Sequence, residues 1–154
     1  MFKDQNKCLG NKIGDYVELG SQIKSGDNIW RPYMPVSAVD DLGFVDFLVK
    51  IVDKKDTPNG NPGEFTKMLL DSTINDRYMV RGPFTNWNYN GYGNFTLPGN
   101  QTRNVRYITM FAQDSGITAF YQMIFAISTF KYDTTSMSLF YSTFAPNDFV
   151  LVED

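Results

Sequence analysis

The sequence predicts two lobes: an incomplete antiparallel β-barrel over residues 1–99 and a small α/β lobe with one βαβ unit over 103–154, joined near 99–104. Three observations lead there. Short β-rich runs separated by Gly, Asn, Asp and Pro fill the first two-thirds of the chain. The composition changes after Pro98-Gly99-Asn100. Beyond that point strand-like, helix-like and strand-like segments follow one another, as in a parallel strand pair with a crossover helix.

In order along the chain, Tyr16–Leu19 and Ile29–Ser37 read as barrel strands. In Phe44–Val52 only Asp46 and Lys50 interrupt the apolar residues, which predicts a strand covered on both faces or curled into a barrel. From Pro62 to Leu70 a turn enters a short helix, with Phe65, Met68 and Leu69 spaced to face one core. Arg77–Arg81 and Asn94–Leu97 are further strands. Asn90-Gly91, between Tyr89 and Tyr92, predicts a two-residue hairpin turn with positive φ at both positions. In the second lobe, Val105–Ala112 reads as a buried strand, Gly116–Phe130 as a helix and Met137–Phe144 as a second buried strand.

Composition removes whole classes of function. Charged residues make up 20% and the net charge is −3, without the Lys/Arg-rich run that a nucleic-acid binder carries, so nucleic acid is set aside as a partner. There is no histidine, which eliminates Ser-His and Cys-His nucleophiles and histidine-bearing metal sites. Cys8 stands alone, reads as a small apolar residue, and makes neither an internal disulfide nor a multi-cysteine metal site. The charge-free run at residues 115–130 is shorter than the ~20 apolar residues of a membrane-spanning helix, so no transmembrane span is expected. No metal site and no catalytic side chain stand out.

Four segments, in the right order, resemble the NADH-cytochrome b5 reductase and nitrate reductase flavoprotein family. They are Leu9-Gly10 through Gly14-Asp15-Tyr16-Val17-Glu18-Leu19 with Arg31-Pro32-Tyr33-Met34-Pro35-Val36-Ser37; Gly43-Phe44-Val45-Asp46 with Val49-Lys50; Arg81-Gly82-Pro83-Phe84 with Tyr89, Gly91, Gly93 and Phe95; and Ser115-Gly116-Ile117-Thr118. The second motif typically reads Arg-Pro-Tyr-Thr-Pro-Val-Ser, so six of its seven positions agree. The resemblance implies a ferredoxin-reductase-type FAD barrel followed by part of a Rossmann-like nucleotide lobe. There, hydride passes from NADH to FAD and electrons leave singly for a haem protein.

Carried over residue by residue, the resemblance makes Arg31, Pro32, Tyr33, Met34, Ser37, Lys50, Gly63, Thr66 and Thr118 cofactor-binding. Arg31 would pair with the FAD phosphates, Tyr33 would lie against the flavin, Gly63 and Thr66 would face the pyrophosphate, and Thr118 would sit near the flavin. Guanidinium is a fixed fork of donors for phosphate, and a phenol ring is a flat contact. Taken alone, Arg31 also fits a surface ion pair and Tyr33 a core aromatic.

The departures from the family are as informative. Met34 stands where the family has Thr, removing a hydroxyl. Glu64 replaces the Lys of Gly-Lys-Met-Ser, reversing the charge beside the expected pyrophosphate; at ~4 Å and an effective dielectric of about 20 such an interaction is worth up to ~4 kcal/mol. Most consequential is Ala112-Gln113-Asp114-Ser115-Gly116-Ile117-Thr118-Ala119, where the family reads Ala-Gly-Gly-Thr-Gly-Ile-Thr-Pro. The glycines of that turn let backbone approach a dinucleotide pyrophosphate. Gln113, Asp114, Ser115 and Gly116 therefore form a degenerate nucleotide turn, with Asp114 or Ser115 expected to cap the following helix. The match begins past the family's first barrel strand and ends after one βαβ unit, without its Cys-Gly-Pro-Pro motif.

The expectation is therefore a b5 reductase-like protein, with FAD as its candidate cofactor and NADH binding lost, that serves as a catalytically impaired accessory or structural subunit. Protein partners in a larger assembly would cover its exposed sheet edges. A mitochondrial location is favoured, with the cytoplasm as the alternative. Two other readings stay open. One is an active NADH-dependent FAD oxidoreductase, split or partial, that passes electrons to a haem protein. The other is a domain that binds flavin without accepting hydride.

Overall fold

The computed structural model describes residues 2–22, 26–51 and 63–151. The first sheet is antiparallel and three-stranded, with β1 (Asp15–Gln22) between β2 (Asn28–Tyr33) and β3 (Met79–Thr85). Side chains of a strand alternate between its two faces, and β1 uses both. Val17 and Leu19 are buried beneath Phe65 of helix α1 (Glu64–Leu70), with Ile29, Tyr33, Phe47 and Tyr78 packed around them. Tyr16 and Glu18 point the other way and line a cleft.

A second antiparallel sheet has the order β4 (Asn88–Tyr89), β5 (Asn94–Leu97), β6 (Gln101–Asn104). Both sheets are open, as an incomplete barrel requires. β6 pairs with β5, placing Thr96 opposite Thr102, and it occupies the stretch expected to join the lobes. The third sheet is the parallel pair of β7 (Tyr107–Gln113) and β8 (Ser136–Ser142), connected by a 3-10 turn at Asp114–Ile117 and helix α2 (Thr118–Thr129). This is the expected βαβ unit. Ile108, Met110 and Ala112 face α2, where Met110 packs on Met123 and Ile127, and Tyr89, Trp87 and Phe95 of the β4–β5 hairpin enter the same core. The antiparallel and α/β parts are thus joined by shared packing.

Polar pins fix this joint. The buried Asp15 carboxylate accepts bonds from Lys12 N (2.7 Å), Thr85 Oγ1 (2.6 Å) and Asn88 Nδ2 (2.8 Å). The Asp133 carboxylate accepts from the Tyr89 hydroxyl, Tyr92 N (2.9 Å), Thr135 N (3.0 Å) and Thr135 Oγ1 (2.6 Å), tying the hairpin to the segment before β8. Partial burial pushes the Asp133 carboxyl upward, but the donors from Thr135, Tyr89 and Tyr92 outweigh it and hold the group below its ordinary value. The Tyr89 hydroxyl is raised, by burial first and then by its bond to Asp133.

Several expectations are corrected here. Over residues 44–51 there is no covered strand: the stretch makes one antiparallel bridge, Phe47 to Pro35, and Phe44 and Ile51 are about 41% and 42% exposed. Its neighbour explains the failure. Pro35 has no N–H to donate, and the Asp46 amide is taken by Ser37 Oγ (3.0 Å) instead of a carbonyl, so the ladder stops. Val52 and Pro62 lie outside the described residues. β7 is buried on one face only, because α2 covers one side, and β8 is at most half-buried; Tyr107 (77%), Phe111 (72%) and Phe140 (60%) are exposed on the other face. Neither Asp114 nor Ser115 caps α2, whose N-cap is Ile117. Cys8 is exposed. The Asn90-Gly91 hairpin forms, but with a four-residue connection in which positive φ falls on Gly91, Tyr92 and Gly93.

That hairpin yields a pair of expectations. At Gly93 (φ +72°) a Cβ would overlap the Val105 carbonyl oxygen, whereas at Gly91 (φ +86°) it would meet open space. Gly93→Ala should lose at least ~3 kcal/mol in urea unfolding, and Gly91→Ala only the ~1–2 kcal/mol of the left-handed backbone. Equal losses would contradict the packing described. The lowered Asp133 carboxyl stabilises the fold fully above the unfolded value near pH ~4, and this contribution is lost as pH falls through the lower folded value. The stability gap between the native chain and Asp133→Asn should narrow on acidification; a gap independent of pH would contradict the network.

Candidate flavin cleft

A cleft of about 660 Å³ opens between the first sheet and the turn leading into α2. Strand β1 and the residue before it contribute Gly14, Tyr16 and Glu18; the end of β2 and the residue after it contribute Pro32, Tyr33 and Met34; Leu48–Lys50 and Asn86-Trp87 form the sides; Asp114, Ser115 and Thr118 close it from the α/β lobe. Of the predicted site residues, Pro32, Tyr33, Met34, Lys50, Thr118, Asp114 and Ser115 are gathered here. Arg31, Ser37, Gly63, Thr66, Gln113 and Gly116 lie outside its walls.

Each position has a local cause. Tyr33 ends β2, with its ring against Phe47 (6.3 Å) and Phe65 (6.0 Å), so packing fixes the side chain. Burial raises its phenol, and the nearby Arg31 charge partly offsets this. Arg31 is exposed and donates Nη1 to the Trp30 carbonyl (2.8 Å). Ser37 is committed to structure: its Oγ accepts from Asp46 N, and its carbonyl accepts from Gln122 Nε2 (2.6 Å). Gly63 is the N-cap of α1 and makes no side-chain cap bond, with the exposed Glu64 in the first turn. Thr118 Oγ1 donates to the Ser115 carbonyl (2.8 Å), so its lone pairs remain to accept.

Charge in the cleft is arranged specifically. Lys50 is its one cationic wall residue among the described residues, and its Nζ lies 3.2 Å from Asp114 Oδ1, 3.2 Å from Asp148 Oδ2 and 5.9 Å from the centre of the Phe144 ring. The bond to Asp148, then that to Asp114, raises the Lys50 ammonium above its ordinary value. Asp114 has φ +47°, the left-handed backbone that Asp tolerates better than most residues. The turn thus keeps a glycine-like conformation at this position while presenting a carboxylate. Glu18, the other acidic wall residue, is paired with Arg81 Nε, and the Arg81 guanidinium stacks on Trp30 at 4.2 Å.

Sequence reasoning missed Trp87, Asn86 and Asp148. Asp148 reaches Lys50 across 98 positions, and no local pattern marks such a pair. Among the described residues no three acidic or thiol side chains gather as a metal site, and no helix is long and apolar enough to cross a membrane.

Comparison with known proteins agrees with this geometry. The family described as oxidoreductase FAD-binding domain matches residues 2–89. The chain is 33% identical over 151 residues to nitrate reductase [NADH] 2 of Phaseolus vulgaris, covering 97% of this chain and 17% of that one. It is 35% identical over 149 residues to NADH-cytochrome b5 reductase 2 of Mus musculus, covering 93% of this chain and 54% of that one. Its fold superposes on the cytochrome b5 reductase domain of Ulva prolifera nitrate reductase with a TM-score of 0.90 at 25% identity, over 99% of this chain and 57% of the other. The antiparallel sheets and their cleft therefore define a flavin-type oxidoreductase domain, and the chain belongs to the oxidoreductase FAD-binding domain family. Within that family it is cytochrome b5 reductase-like, and it spans about half the length of the curated b5 reductase it matches.

Proposed function

We propose that this chain is the flavin-holding module of a cytochrome b5 reductase-like oxidoreductase in which docking of the nicotinamide coenzyme is impaired. The carrying observation is the convergence of Pro32, Tyr33, Met34, Lys50 and Thr118 on one cleft whose remaining wall includes Asp114. The residues fit FAD. A volume of about 660 Å³ is in the usual range for small-molecule sites, and the walls combine flat aromatic side chains with a few polar groups. Bound FAD would supply a ring that accepts a hydride and returns electrons singly.

The chain's own groups would then bind and orient. Tyr33, wedged on Phe47 and Phe65, offers a rigid aromatic contact. Thr118 offers hydroxyl lone pairs. Met34 fills space without the hydroxyl that the family places there. The Arg31 guanidinium, with hydrogens beyond the one spent on Trp30, suits the phosphates. On the coenzyme side, the Asp114 carboxylate lies where the resemblance puts a diphosphate. Two like charges at ~4 Å in an effective dielectric of about 20 cost up to ~4 kcal/mol, close to a thousandfold in affinity.

One observation favours a second reading, that of an accessory subunit. Tyr107, Phe111 and Phe140 are exposed together on the uncovered face of β7 and β8, with Phe111 and Phe140 stacked at 5.0 Å. Such a patch suits a protein partner.

Titrating the purified chain with FAD, then adding NADH without oxygen, separates these readings. We expect flavin uptake with perturbed visible bands that NADH leaves unbleached. Bleaching by NADH would overturn the impairment, and failure to take up flavin would leave only the accessory reading.

A further inference from the structure

We propose that Lys50, Asp114 and Asp148 form a charge relay between the lobes that leaves the cleft with excess negative charge and so sets the redox equilibrium of the flavin bound there. The inference rests on the flavin-holding reading above. Lys50 is the cation lining the cleft among the described residues, and two carboxylates at 3.2 Å more than neutralise it. Glu18 adds no further excess, because Arg81 pairs with it. Arg31 lies outside the walls, where its charge would be matched by the FAD phosphates. Counted together, the Lys50 group carries one net negative charge, contributed by the Leu48–Lys50 segment, the Asp114 turn and the Pro146–Asp148 turn.

The consequence follows from charge bookkeeping on the ring. Two electrons with one proton convert the neutral oxidised ring to a monoanion, so a negative environment favours the oxidised form and a positive one favours the reduced form. Asp148 does not line the cleft, so it would act as a positioning and charge residue through Lys50 and not by contact.

The test is a charge series in the FAD-loaded chain, with potentials read by dye equilibration under dithionite titration. Asp148→Asn and Asp114→Asn each remove one negative charge, and Asn retains tolerance for the left-handed backbone at position 114. Lys50→Gln removes the positive charge. The expected order of potentials is Lys50→Gln lowest, the native chain next, and the two Asn variants highest. Each step should change the reduction equilibrium by roughly tenfold, about 30 mV for a two-electron couple, and should shrink with added salt. Because Asp148→Asn alters a residue outside the cleft, a purely structural role for it would leave the potential in place. Bound flavin with equal potentials across the series, or with the order reversed, would overturn the relay and leave the flavin-holding reading standing. Absence of flavin binding in the native chain would overturn both.

Discussion

Among the described residues, the Lys50 ammonium is the point where the antiparallel part, the turn into α2 and the segment after β8 meet through charge. Its two carboxylate partners come from the second lobe. An exposed ion pair contributes little stability. What this arrangement decides is the electrostatic character of the space that Tyr33, Met34 and Thr118 enclose.

Asp114 shows how one position can serve architecture and carry a charge together. The turn between β7 and α2 needs left-handed backbone at residue 114, which glycine supplies without strain. Asp adopts the same conformation and adds a carboxylate. That conformation is also why the side chain does not cap the helix: a capping residue has extended backbone that aims its oxygen at the first-turn amides. Here the oxygen goes to Lys50, and Ile117, the N-cap of α2, makes no side-chain cap bond.

Much of this was legible in the sequence where the information is contiguous. The motif at residues 31–37 maps onto one strand end and the segment that follows it, so its presence was enough to place Tyr33 and Met34 in the cleft. The βαβ unit was legible because apolar periodicity changes sharply between β7 and α2. The misreadings come from long-range partners. Apolar density in Phe44–Val52 says nothing about whether a neighbouring strand can pair, and Pro35 with Ser37 cannot extend the ladder. Density in β7 and β8 likewise does not reveal that α2 covers a single face. Asp133 gave no signal either, since its four donors come from Tyr89, Tyr92 and Thr135 only after the hairpin folds against the second lobe.

The central claim is that the cleft keeps its flavin side and has closed its coenzyme side with Asp114. A crystal structure of the FAD-loaded chain soaked in NAD+ tests this most directly. The account predicts the flavin ring between Tyr33 and Thr118, the Lys50–Asp114 pair intact, and no dinucleotide at the turn formed by Gln113, Asp114 and Ser115. A coenzyme diphosphate seated against that turn, with Asp114 swung away from Lys50, would contradict it.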